Sequence, residues 1–107
     1  MANRDSSPGA ALCALADPSR RAILERLGRA PCTVGALADA LPISRPAVSQ
    51  HLKVLRGAGL VSVERVGTRA VHRLDPGGLG ATRDWIDTLW DEALEAFEAA
   101  AEKEDER

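Results

Sequence analysis

The sequence predicts a mainly α-helical domain with one small β-hairpin, laid out as a winged helix-turn-helix followed by a long C-terminal helix. Three observations predict it. Two short amphipathic helices are separated only by the tight link Leu41-Pro42-Ile43. The period of apolar residues changes from helical to alternating after Gly59. Asp75-Pro76 then opens a strongly helical run that reaches about Lys103. Helices joined by so short a turn, the second with a polar outer face, form a helix-turn-helix, and the hairpin behind it is the wing. The length, 107 residues, suits one domain with a small core.

Each element has a local reason. Residues 1–9 are polar and expected to be flexible. Ala10 to Ala16 is a short Ala/Leu helix, expected to point Leu12 and Leu15 inward. Asp17 caps the second helix and Pro18 fits its first position, where no backbone donor is needed. That helix runs from Ser19 to about Arg29 with Ile23, Leu24 and Leu27 as its apolar stripe. Arg20, Arg21, Arg26 and Arg29 lie off the stripe and read as surface charge, one or two of them within reach of a phosphate. Thr33 caps a helix over Val34 to Ala40, whose inward residues are Val34, Leu37, Ala38 and Leu41. Ser44 caps the next, Pro46 is tolerated in its first turn, and Gly57 and Gly59 end it.

Leu60 to Val66 is rich in β-branched residues and Arg69 to Leu74 answers it across Gly67-Thr68, where Gly67 meets the turn's need for positive φ. In the last helix Gly77, Gly78 and Gly80 make a poor first turn, so regular helix is expected nearer Ala81. Ile86, Leu89, Trp90, Ala93, Leu94, Phe97 and Ala100 form one apolar stripe, with Trp85 at its edge. Asp84, Asp87, Asp91, Glu95, Glu98 and Glu102 lie mainly opposite. Residues 102–107 read as an acidic disordered tail, which leaves 10–101 as the folded unit.

Function is carried by the helix after Ser44. At about 100° per residue Val48, Leu52 and Leu55 share one side. Pro46, Ser49, Gln50 and Lys53 share the other, flanked by Arg45 and Arg56, with no carboxylate among them. Lys and Arg neutralise phosphates, and Gln can both donate to and accept from an adenine edge in the major groove. A merely solvated face mixes charge signs, so this one reads as a DNA recognition helix. The formal net charge of −2 hides the pattern: residues 45–73 carry six Lys/Arg and one acid, while residues 75–107 carry three and eleven. The wing tip adds Arg65, Thr68 and Arg69, placed to reach DNA backbone or a neighbouring minor groove. The candidate DNA-binding set is therefore Ser44, Arg45, Pro46, Ser49, Gln50, Lys53, Arg56, Arg65, Thr68 and Arg69.

The last helix is too apolar to leave in water and too long for one small body to cover. Leu12, Leu15, Ile86, Leu89, Trp90, Ala93, Leu94 and Phe97 are the candidate dimerisation residues, and a second copy of the chain is the expected cover. No apolar run is long enough for a bilayer and no signal peptide is evident, so a cytoplasmic protein is expected. Cys13 and Cys32 are too few for a disulfide framework and fit a reducing compartment as buried or half-buried thiols. His51 flanks the apolar face, and His72 alternates on a strand as a surface residue. No nucleophile–base set, glycine-rich phosphate loop or paired-carboxylate arrangement stands on a plausible scaffold. No enzyme activity and no cofactor are expected.

The words Ala14-Leu15-Ala16-Asp17-Pro18-Ser19-Arg20-Arg21-Ala22-Ile23-Leu24, Ser44 to Leu55 and Gly59-Leu60-Val61 resemble the ArsR/SmtB family of bacterial repressors. The resemblance covers about residues 10–100, and Pro46-Ala47-Val48-Ser49-Gln50-His51-Leu52 is its most specific word. It implies a homodimer paired through its first and last helices that binds a palindromic operator and represses its own operon. It also implies that Ser49, Gln50 and Lys53 face bases and phosphates, with Arg45 and the wing arginines in support. The chain departs from the family's metal-sensing members. Where they carry a Cys-x-Cys pair it has Ala36-Leu37-Ala38-Asp39-Ala40-Leu41, and its last helix holds Asp84, Asp87 and Asp91 without a His. Carboxylates alone select zinc or nickel poorly, so no metal is expected. Two other readings compete: a winged helix used as a protein-interaction module, and a thiol- or metal-responsive repressor acting through Cys13 and Cys32.

Overall fold

A computed structural model describes residues 7–105 and contains five helices and one hairpin. They follow in the order α1 (Pro8–Ala14), α2 (Pro18–Leu27), α3 (Val34–Ala40), α4 (Arg45–Gly57), β1 (Val61–Val66), β2 (Arg69–Leu74) and α5 (Pro76–Asp105). Every helix begins at a side-chain cap. Ser7, Thr33 and Ser44 hydroxyls accept from Ala10, Ala36 and Ala47 N–H, and the Asp17 and Asp75 carboxylates accept from Ser19 and Gly77 N–H. Each cap satisfies donors that the first turn leaves without an intrahelical partner. The backbone N–H groups of Arg20 and Ser19 also hold the Asp17 carboxyl below its ordinary pKa, with the Arg20 amide as the largest cause.

The core sits where α2, α3 and α4 meet. Ile23, Leu37, Val48, Leu52, Leu55 and Leu60 are fully buried there. α4 ends in a glycine cap: Gly59 has φ 78°, Leu60 N–H donates to Leu55 carbonyl at 3.0 Å, and Gly59 N–H donates to Arg56 carbonyl at 3.0 Å. The strands pair antiparallel from Val61↔Leu74 to Val66↔Arg69. Gly67 takes φ 64° and Thr68 does not go positive, the pattern of a two-residue type II′ turn. A two-bond bridge between Cys32 and His72 (2.9 and 2.7 Å) ties the loop before α3 to β2 and so fixes the wing against the helix-turn-helix.

Four details differ from the sequence expectation. α1 starts at Pro8 and buries Ala11 and Ala14, while Leu12 is 38% exposed and Leu15 half-buried. Small side chains allow the close approach of α1 to α4 and α5, and the leucines turn outward. Arg20 and Arg21 are not spare surface charge: Arg20 Nε donates to the Ala14 carbonyl at 2.6 Å and Arg21 Nη1 to the Leu15 carbonyl at 2.7 Å. They close the C-terminal end of α1, whose last carbonyls have no partner in the helix. α5 begins at Pro76 rather than Ala81, because Gly78 is buried against Gly59 and a Cβ there would overlap the Gly59 carbonyl. Thr82, buried, returns its hydroxyl to the Gly78 carbonyl at 2.9 Å. Finally, α5 continues through Asp105, so residues 102–105 are helical where a disordered tail was expected. Residues 1–6 and 106–107, the rest of both expected flexible ends, lie outside the described residues.

The thirty residues of α5 span about 45 Å. Only its start touches the body, and every residue from Arg83 to Asp105 is exposed. The molecule measures 68 × 32 × 20 Å with a radius of gyration of 18.2 Å. A compact chain of about 100 residues has a radius of about 13 Å. Among the described residues no helix is long and apolar enough to cross a membrane.

Candidate nucleic-acid interface

α4 turns Val48, Leu52 and Leu55 into the core, and its 3.6-residue period then leaves the opposite side in solvent. Ser44, Arg45, Pro46, Ser49, Gln50, Lys53 and Arg56 are all exposed. The ion pairs among the described residues engage Arg20, Arg73 and Arg83, so none neutralises this face. Arg65, Thr68 and Arg69 are likewise exposed on the wing. Strand alternation puts Val61, Val63 and Arg65 with Ala70, His72 and Leu74 on the side facing the body. A groove between α4 and the wing is accordingly lined by Ser49, Arg56, Val63, Arg65 and His72. Arg73 belongs to the other side, where it pairs with Glu64 at 2.6 Å and adds little to the basic patch.

His72 overturns the expectation of a surface histidine: it is 3% exposed. Its Nε2 lies 3.1 Å from Arg56 Nη1. Arginine can only donate, so the imidazole accepts through Nε2 and carries its proton on Nδ1. Nδ1 has no partner among the described residues. Burial, and then the Arg56 charge, push the His72 pKa below its ordinary 6.5, against a smaller opposing effect of the Cys32 backbone. The unfolded chain therefore binds the proton more readily than the folded one. Stability is full above 6.5 and falls as the pH drops below it toward the folded pKa. Thermal unfolding followed from about pH 8 to pH 5 should show this loss. A His72→Leu protein should lose correspondingly less of its melting temperature over the same range. Sequence alternation carried the missed signal, since Ala70 and Leu74 share the strand face of His72.

The candidate dimerisation residues of α5 are all in solvent, Trp90 at 66% and Phe97 at 72% exposure. Trp90, Ala93, Leu94 and Phe97 together line one apolar depression. The structure brings Leu12 and Leu15 to the outside of α1, which contacts the start of α5. The cysteines are free thiols. Cys13 is exposed, contrary to the burial expected of it, because α1 buries its alanine side; Cys32 is half-buried with Sγ 3.3 Å from the Ala30 carbonyl. Among the described residues no three His, Cys, Asp or Glu side chains converge as metal ligands.

Residues 15–64 match a helix-turn-helix domain family. The chain is 56% identical over 91 residues to the HTH-type transcriptional regulator Rv2034 of Mycobacterium tuberculosis, covering 85% of each chain. An ArsR-like transcriptional regulator from Rhodococcus sp. RHA1 superposes with a TM-score of 0.72 at 36% identity, over 89% of this chain and 90% of that one. A fragment from Mycobacterium bovis, described as a homodimeric winged helix-turn-helix DNA-binding domain of a possible ArsR-family regulator, gives a TM-score of 0.64 at 28% identity, over 78% of each.

Proposed function

Because this chain belongs to the ArsR/SmtB family of winged helix-turn-helix transcriptional regulators, we propose that it is a homodimeric repressor that reads an inverted-repeat operator in front of its own operon. The observation that carries the proposal is the outer face of α4, where Ser49, Gln50 and Lys53 stand exposed without a carboxylate beside them. In this reading α4 lies in the major groove, Gln50 and Ser49 meet base edges, and Lys53 and Arg56 meet phosphates. Arg45 supports from the helix start, with Ser44 and Pro46 holding that first turn in place. Arg65, Thr68 and Arg69 follow the backbone beside the major groove.

The dimer is the second half of the reading. Ile86, Leu89, Trp90, Ala93, Leu94 and Phe97 meet a second copy, with Leu12 and Leu15 of the partner's α1 completing the seam. A two-fold pair sets its recognition helices about one DNA turn apart, roughly 34 Å, which makes the operator an inverted repeat. Occupancy of a promoter by such a dimer blocks transcription without any further chemistry.

A mobility-shift titration on the upstream DNA with excess random competitor tests the whole. The wild type should form a specific complex, and a protein-interaction module would not. Two variants then divide the labour on α4. Lys53→Ala should weaken binding to operator and random DNA alike, lowering the slope of log K against log salt by about one. Gln50→Ala should reduce discrimination between them by roughly 1–3 kcal/mol per half-site. Identical profiles for the two variants would refute this division.

A further inference from the structure

Arg45 and Arg69 come from separate elements, the first turn of α4 and the start of β2, yet they border one cleft with Thr33, Val34, Gly35 and Ala70. The Arg45 guanidinium lies flat on Gly35: a Cβ built there would meet Nη2 at 2.9 Å, Cζ at 3.3 Å and Nη1 at 3.7 Å. Only a residue without a side chain admits that resting place. The ion pairs among the described residues leave both arginines without a carboxylate partner. Two like charges bordering one cleft repel each other unless an anion sits between them. The cleft opens beside the face of α4 that carries Ser49 and Gln50, and an arginine fork matches phosphate oxygens in two-pronged geometry.

We propose that this cleft holds a single phosphate of the DNA backbone, gripped from one side by Arg45 and from the other by Arg69, and that Gly35 is the positioning residue for Arg45. The phosphate lies where the strand passes from the groove read by α4 toward the one beside the wing. The shared contact fixes the wing's angle to the recognition helix. The proposal rests on the DNA-binding reading above. It adds that two arginines serve one phosphate, and that a glycine outside the recognition helix contributes to affinity.

The test uses the full chain and a short random-sequence DNA duplex, since a phosphate contact does not depend on sequence. Salt titrations compare the wild type with Arg45→Ala, Arg69→Ala and the double variant. Each single variant should lower the slope of log K against log salt by well under one, because the other arginine still neutralises the phosphate. The double variant should lower it by about one. A decrease of about one for each and about two for the pair would overturn the proposal, since the arginines would then hold different phosphates. Gly35→Ala should reproduce the affinity loss of Arg45→Ala and add nothing in an Arg45→Ala background. Alanine is the better helix former, so its melting temperature should not fall. An equal loss in both backgrounds would remove Gly35 from the mechanism. If the wild type fails to bind random duplex at low salt, the DNA-binding reading itself fails, an outcome distinct from all of these.

Discussion

A Phe97→Glu protein should sediment as a monomer and lose specific operator binding while keeping its helix-turn-helix folded. Phe97 is the most exposed large apolar side chain of α5, and in the proposed dimer it meets the partner chain. Two-fold symmetry doubles the substitution, so two carboxylates enter one apolar seam. Burying an unpaired charge costs on the order of several kcal/mol per ion. A dimer of micromolar affinity is held by only about 8 kcal/mol. The core of Ile23, Leu37, Val48, Leu52, Leu55 and Leu60 lies far from that end of α5, so circular dichroism should retain most of its helical signal. Sedimentation equilibrium and operator titration on both proteins check the expectation. A wild type that is monomeric at micromolar concentration, or a Phe97→Glu protein that still binds operator as a dimer, would refute the dimer.

Gly78→Ala should be among the most damaging single-methyl substitutions in the chain. Its new Cβ would overlap the Gly59 carbonyl, which is backbone and held by the glycine cap of α4. Neither side can yield by rotating a side chain, so α5 must move off the body. Overpacking of this kind costs about 3 kcal/mol at the upper end of its usual range. That corresponds to a fall in melting temperature on the order of 15 °C for a domain of this size. Gly80→Ala, two residues on, supplies the contrast: nothing lies within 4 Å of its new Cβ. Removing a helix-interior glycine there should stabilise by about 0.8 kcal/mol. Differential scanning calorimetry of the two proteins should move in opposite directions. A Gly78→Ala protein that melts with the wild type would show that the Gly59–Gly78 contact contributes little.

The same two glycines mark where the sequence was legible and where it was not. Local chemistry could be read directly: Asp17-Pro18, Thr33, Ser44 and Asp75 announce helix starts, and Gly67 announces the hairpin turn. The period of Val48, Leu52 and Leu55 also fixed which side of α4 faces out. Propensity misplaced the start of α5, because Gly78 is needed for a contact with a residue nineteen positions earlier, which no local rule anticipates. The inward side of α1 was misjudged for a related reason. Leucines ordinarily point to the core, but here the neighbouring helices come close enough that only Ala11 and Ala14 fit. His72 was missed because a polar residue on a strand is usually exposed. Its burial depends on Arg56, sixteen residues away, supplying a donor to Nε2.

The long reach of α5 beyond its own body has a consequence for how such a regulator responds to its own abundance. With every side chain from Arg83 to Asp105 in solvent, the chain alone leaves much of its apolar surface unburied. In the proposed dimer the final stabilisation is therefore supplied by encounter with a second molecule, and it follows protein concentration by mass action. Below the dimer dissociation constant, doubling the protein raises the amount of paired protein about fourfold. A gene shut off by the pair would stay open while the protein is scarce and close over a narrow rise in its level. The threshold is then set by the apolar stripe on α5, independently of any contact α4 makes with DNA.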